Sequence, residues 1–249
     1  MTKKTLLTTI LTILIAQAVF ATDKHWSYKG STGPETWGRI NKSYEQCSIG
    51  KTQSPINITN ATKATLSKIN IDYLNRPLRI INNGHTIQVN YSGGKITVGD
   101  ETYNVLQFHF HSPGENQING KLYPMEMHLV HKRTDGALGV LAVMIEKGKA
   151  NATIQKIWGH LPRKAGSEKI YKNVSINASN LLPKSKRYYR FMGSLTTPPC
   201  TEGVNWHVLQ TPITLSKKQI KSFESLYKGN NRPIQAQNNR LIMMGILSK

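Results

Sequence analysis

The residues whose types could do chemistry are concentrated in Gln107-Phe108-His109-Phe110-His111. With Val105 ahead of it, this composition predicts a β-strand. Side chains alternate faces along a strand, so His109 and His111 share one face and Phe108 and Phe110 the other. Two imidazoles backed by aromatic anchors make half of a metal site; the other reading is two structural histidines on a half-buried strand. Met125 to His131 predicts a second strand, with Glu126, His128 and Val130 on one face and Met127, Leu129 and His131 on the other. The segment from Ser112 to Pro124 holds Pro, Gly and Asn, so it is able to return the chain antiparallel and set His128 beside His109 and His111. Three neutral imidazoles without a fourth protein ligand are the pattern of a catalytic zinc with an open position. Structural zinc sites close with four ligands, often Cys.

A ligating histidine needs an acceptor for its second ring N–H. Gln107 lies on the ligand face within reach of His109, and Glu126 lies on the same face as His128. The alternative for each is a solvated polar residue of the sheet. His131 points the other way and reads as a core histidine.

The elements that must position these groups are mostly strands. Leu78 to Ile81 runs into an Asn82-Asn83-Gly84 turn, and Thr86 to Tyr91 alternates again. Lys95 to Val98, Tyr103 to His111, Met125 to His131, Ala137 to Glu146 and Asn205 to Leu209 follow. Two helices are predicted. Asn151 to His160 has Ile154, Ile157, Trp158 and Leu161 at helical spacing before Pro162. Ser216 to Gln219 matches a capping box, with Ile220, Phe223 and Tyr227 on one face before Gly229. Asp23 to Asn57, rich in Trp, Gly, Pro and Ser, reads as irregular coil. The fold class is predominantly β, with peripheral short helices (α+β).

The chain has 249 residues, 38% hydrophobic and 18% charged, which fits one globular domain with an ample core and excludes a disordered chain. Met1 to Ala21 reads as a secretory signal peptide: Lys3 and Lys4 precede an apolar run from Leu6 to Phe20, and Val19 and Ala21 suit cleavage after Ala21. An uncleaved anchor is the alternative. Residues 22–249 are then the folded domain, periplasmic or secreted. Lys and Arg total 33 against 13 acids, for a formal charge of +20. The basic residues are scattered, with no Arg-rich run and no nucleic-acid motif, so nucleic acid is not the expected partner. Loose association with anionic envelope surfaces, or solubility alone, accounts for the charge. Cys47 and Cys200 form an even pair in an oxidising compartment, which predicts a disulfide over two buried thiols.

Gln53-Ser54-Pro55-Ile56-Asn57-Ile58, Asn82 to His85, Gln107 to His111, Glu126 to His131 and Ser194-Leu195-Thr196-Thr197-Pro198-Pro199-Cys200 occur in one order that resembles the α-class carbonic anhydrase family. His25 to Tyr28 and Asn230 to Pro233 also fit, so the likeness spans Asp23 to Lys249. The export signal, cysteine pair and short Ser112 to Glu115 turn are most similar to bacterial periplasmic members. The resemblance implies one domain built on a large, mostly antiparallel twisted central sheet. It also implies reversible hydration of carbon dioxide to bicarbonate and a proton, by attack of zinc-bound hydroxide. His109, His111 and His128 match the family's zinc ligands. Thr196 matches the threonine that accepts the hydroxide's hydrogen bond, and Glu115 the glutamate that orients it. His85 matches the proton shuttle. Val130, Val140, Leu195, Val204 and Trp206 are expected to wall the carbon dioxide site, with Thr197 and Tyr28 on its polar side.

The sequence departs from the family in two ways. Ser112 stands where the family has an aromatic residue, and the loop before Glu115 is short, so the placement of Glu115 is open. A non-catalytic binding module on this fold and a charge-driven envelope- or nucleic-acid-binding protein are the competing readings. Retention of the three His, Glu115, Thr196 and His85 opposes the first of these. Oligomeric state is left open.

Overall fold

The computed structural model describes residues 25–246. The signal-peptide reading of residues 1–21 lies outside the described residues. A 13-stranded sheet dominates the molecule. Its strands are β1 (Thr62–Ala64), β2 (Ile69–Tyr73), β3 (Arg76–Asn82), β4 (Ile87–Asn90), β5 (Gly94–Val98), β6 (Glu101–His111), β7 (Met125–Lys132), β8 (Leu138–Lys147), β9 (Lys169–Ile176), β10 (Tyr188–Ser194), β11 (Glu202–Leu209), β12 (Ile213–Leu215) and β13 (Met243–Gly245). The main path runs β9-β3-β4-β6-β7-β8-β11-β10-β13-β1. Most pairings are antiparallel, but β8 with β11 and β12, and β13 with β1, are parallel, so the sheet is mixed.

Core packing explains why β6 sits at the centre. Phe108, Phe110, Val105 and Tyr103 are buried in one cluster with Met127, Leu129 and Leu141 from the neighbouring strands. Strict alternation cannot put both Val105 and Phe108 on one face. The pairing with β7 shifts register there: Val130 faces Gln107 while His131 faces Val105, which leaves Leu106 as the extra residue of a bulge. Leu106 is correspondingly exposed. The bulge lets the whole strand keep its apolar side inward. A second cluster on the opposite face holds Val130, Val140, Val204, Val208 and Trp206.

Helix α1 (Ala152–Trp158) is capped by Asn151, whose side chain accepts from the Ile154 N–H. Helix α2 (Lys217–Glu224) carries the full capping box between Ser216 and Gln219. The two pack together, with the Trp158 indole donating to the Gln219 carbonyl at 2.9 Å. The N-terminal stretch is more ordered than a coil: short helical turns span Gly30–Thr32, Pro34–Thr36, Trp37–Ile40, Lys42–Tyr44 and Gln46–Ile49. They close on a third cluster of Trp37, Cys47 and Cys200, with Trp26 and Tyr28 packed against it. Cys47 and Cys200 are disulfide-bonded.

Candidate active site

The register of β6 and β7 assembles the histidines. His128 lies opposite His109, and Glu126 opposite His111. One nitrogen from each of His109, His111 and His128 lies within 4.8 Å of the others. Each ring's other nitrogen is engaged. His109 Nδ1 is 2.8 Å from Gln107 Oε1, His111 Nδ1 is 2.7 Å from the Asn230 carbonyl, and His128 Nε2 is 2.9 Å from Glu126 Oε1. With those N–H groups donating, Nε2 of His109, Nε2 of His111 and Nδ1 of His128 are left as lone-pair donors. His111 Nε2 is fully buried and has no hydrogen-bond partner. A buried polar atom without a partner is costly, and a cation ligated there removes the cost. Burial pushes the pKa of His109 well below its ordinary value, as do His111 and His128, and burial also lowers His111. The His109 and His111 rings are therefore neutral at pH 7. An all-imidazole set of three fits zinc with an open position.

Glu126 holds more than His128. Its Oε2 accepts from the Glu115 and Asn116 backbone N–H groups at 2.7 Å each, and its Oε1 accepts from Asn116 Nδ2 at 2.8 Å. Burial pushes its pKa up, but the electrostatic pull of the His128 ring and the hydrogen bonds from His128 and Asn116 outweigh this and hold it below the usual carboxylate range. These bonds place Glu115 in spite of the short loop. Glu115 Oε1 accepts from the Arg232 N–H at 2.8 Å and lies 3.5 Å from His111 Nδ1. Burial pushes Glu115 up to about 7, against the pull of His128, the Arg232 N–H and the Thr196 hydroxyl. Thr196 therefore stands beside Glu115, whose Oε2 makes no hydrogen bond of ordinary geometry.

Thr196 and Thr197 come from the loop after β10, where the Cys200 N–H donates to the Thr197 carbonyl at 2.8 Å. The disulfide fastens that loop to Cys47. Val130, Val140, Val204 and Trp206 are buried together, with Leu195 packed against them, and the Trp206 ring is 5.0 Å from that of His128. Tyr28 meets Trp26 and Trp37 edge-on, and burial raises its pKa well above the ordinary value, with Glu115 adding to the shift. His85 follows the Asn83 turn, whose Oδ1 accepts from the His85 and Thr86 N–H groups. Its ring stacks on Trp26, with centroids 3.6 Å apart and planes 7° apart, and lies 4.7 Å from His25. Burial, then His25, pushes its pKa down to about 4.

His131 points to the opposite face, is fully buried and pairs with the Tyr73 hydroxyl at 2.7 Å. Sequence reasoning missed three contributors. Asn230 supplies the acceptor for His111, Asn116 braces Glu126, and Trp26 holds His85. The His25 to Tyr28 and Asn230 to Pro233 likenesses included Trp26 and Asn230 without a role for either, since a backbone acceptor 119 residues away leaves no local trace.

The eukaryotic-type carbonic anhydrase family model matches residues 32–245. Carbonic anhydrase of Pectobacterium carotovorum is 45% identical over 237 residues, covering 94% of this chain and 96% of the relative. Carbonic anhydrase of Neisseria gonorrhoeae is 46% identical over 222 residues, covering 88% and 87%. Among solved structures, a hyperthermostable carbonic anhydrase from a hydrothermal vent chimney superposes with a TM-score of 0.86 at 48% identity, covering 89% of this chain and all of its own. With its three-histidine cluster and mixed central sheet, the chain belongs to the eukaryotic-type (α) carbonic anhydrase family.

Proposed function

We propose that the protein reversibly hydrates carbon dioxide to bicarbonate and a proton, with zinc held by His109, His111 and His128. The observation that carries this reading is the convergence of three ring nitrogens whose partner nitrogens are each tied to a separate acceptor. When bound, zinc supplies the Lewis acidity that makes water a nucleophile near neutral pH, carbonic anhydrase being the standard case of that effect.

The chain's own groups do the rest. Gln107, Glu126 and the Asn230 carbonyl fix the ring tautomers and orientations. Thr196 gives its hydroxyl hydrogen to Glu115, so its oxygen accepts from the attacking water and fixes the direction of attack. Val130, Val140, Leu195, Val204 and Trp206 keep the carbon dioxide side dry, while Thr197 and Tyr28 border it with polar groups. His85 carries the product proton outward. Stacked on Trp26 the ring is neutral at pH 7, and it takes up a proton more readily once turned away from that stack.

Stopped-flow hydration of carbon dioxide tests the reading. Chelation, or His109→Ala, is expected to abolish activity together with bound zinc measured by atomic absorption. Full activity in the metal-free protein would refute the zinc assignment. His85→Ala is expected to slow turnover in weak buffer and to recover with added imidazole; no response to imidazole removes His85 from the proton path.

The same proposal places residues 22–249 outside the cytoplasm after cleavage near Ala21. A disulfide fits an oxidising compartment, and no helix among the described residues is long and apolar enough to cross a membrane. The net charge favours electrostatic association with anionic envelope surfaces. N-terminal sequencing of the protein from its native host, with salt extraction of the envelope fraction, tests both.

A further inference from the structure

Most of the described Lys and Arg residues make no ion pair with a carboxylate. Among the described residues, the Lys and Arg in ion pairs with carboxylates are Arg79, Lys121 and Arg133. One part of the surface gathers unpaired cations around an apolar cleft. The residues between β1 and β2, the start of β2, the approach to β10 and the end of β13 enclose about 340 Å³. Leu66, Ile69, Tyr188 and Ile246 give it apolar walls, Lys68, Lys186 and Arg187 are its charged groups, and no Asp or Glu lines it. A second depression of about 430 Å³ continues it past Ile71 and Leu182, sharing Ile69, Asn70 and Lys186. Lys186 therefore stands where the two meet.

Its position is that of an ammonium without a counter-ion. Lys186 Nζ donates to the backbone carbonyls of Pro183 and Lys184 and has no carboxylate partner. Burial lowers its pKa. The walls are fixed independently of any ligand, because the Tyr188 hydroxyl donates to the Ser67 carbonyl at 2.9 Å and the Ile246 N–H to the Ala64 carbonyl at 3.1 Å. A small polar anion would answer the charge of Lys186 but leave the apolar walls wet. A neutral apolar molecule would cover the walls and further desolvate an unpaired charge, which is unfavourable. An anionic head on an apolar tail satisfies both, and ligand pockets of this size are commonly apolar with a few polar anchors.

We propose that this cleft binds an amphipathic monocarboxylate, its carboxylate on Lys186 with support from Lys68 and Arg187, and its alkyl tail on Leu66, Ile69 and Ile246. None of these residues belongs to the histidine site, so the two sites are separately testable.

Titration calorimetry of decanoate into the protein, below the concentration at which decanoate aggregates, is expected to show saturable one-to-one binding. Lys186→Gln should weaken it roughly tenfold or more, the loss of one charge-assisted hydrogen bond. Each methylene removed from the acid should weaken it about three- to fourfold. Decanol, with the same tail and no charge, should bind at least about tenfold more weakly than decanoate. Ser185→Trp, which fills the cleft, should abolish binding, with unchanged carbon dioxide hydration confirming a folded protein. Absence of binding at millimolar decanoate, or binding equal in wild type, Lys186→Gln and Ser185→Trp, would overturn the proposal.

Discussion

Replacing Glu126 by Gln tests the site at its most heavily loaded acceptor. The carboxylate is fully buried and accepts four hydrogen bonds, two on each oxygen. A glutamine has one oxygen. If it faces the Glu115 and Asn116 backbone N–H groups, its NH2 meets Asn116 Nδ2 and the His128 Nε2–H, donors against donors. His128 escapes only by moving its proton to Nδ1, the nitrogen needed for the metal. If the amide is flipped, the two backbone donors are orphaned and Glu115 loses its seat. Either way two charge-assisted hydrogen bonds are lost with their donors still buried, which is worth about 3–5 kcal/mol of stability. Zinc affinity should fall about 10- to 100-fold through the His128 tautomer. Urea unfolding of the metal-free protein measures the first effect, and competition with a chromophoric chelator the second. A Glu126→Gln protein within about 1 kcal/mol of wild type, with unchanged zinc affinity, would refute the assigned hydrogen bonding.

Two further outcomes follow from groups outside the site. Removing the Cys47–Cys200 disulfide by double Ala substitution opens a closure of 153 residues, for which chain entropy sets an upper figure of about 5 kcal/mol, and urea unfolding with and without reductant should show a loss of about 2–5 kcal/mol. His131 and His207 are both buried, and burial pushes their pKa values down to about 4 and about 3. Between those values and the unfolded value of about 6.5 the unfolded chain binds more protons, so this stability is complete above about 6.5 and is lost as pH falls. At pH 5 the two together cost on the order of 4 kcal/mol. His207→Leu should remove roughly half of the difference between unfolding at pH 7 and at pH 5, and an unchanged difference would show that His207 does not titrate this way.

What the sequence made legible was whatever depends on neighbours a few residues apart. His109 and His111 face one way because a strand alternates, and Gln107 and Glu126 reach their histidines because residues two apart share a face. The capping box at Ser216 and the cap at Asn151 are local for the same reason. Strands β1, β2, β9, β10, β12 and β13 have no counterpart in the sequence reading. β9 is exposed along most of Lys169–Ile176, so it lacks the apolar alternation that would mark it, and its place at the sheet edge comes from pairing with β3. The parallel pairings of β8 depend on chain segments more than 60 residues apart, a tertiary fact with no periodic signature. The bulge at Leu106 likewise shows only against its partner strand.

A stretch with no regular structure ties several parts of the site together. The Asn230 carbonyl takes the His111 N–H, its Oδ1 takes the Ser112 N–H, and its Nδ2 donates to the carbonyls of His85 and Phe110. One asparagine thus joins a proposed metal ligand, the end of the strand that bears it and the turn bearing the proposed shuttle. Two residues on, the Arg232 N–H holds Glu115, while its guanidinium donates to Gln53 Oε1 and to the carbonyls of Ser54 and Cys47. That guanidinium is almost completely buried with no carboxylate bound to it, so those acceptors are its compensation for lost water. Burial lowers its pKa only to about 10, which leaves it charged at neutral pH. Its Nε has no acceptor, so removing any of these three acceptors would leave the buried charge still less compensated, which couples the N-terminal turns, the Cys47 end of the disulfide and the Glu115 loop. One irregular segment thereby ties a proposed metal ligand to the Glu115 loop and to the N-terminal turns through a connected set of buried hydrogen bonds.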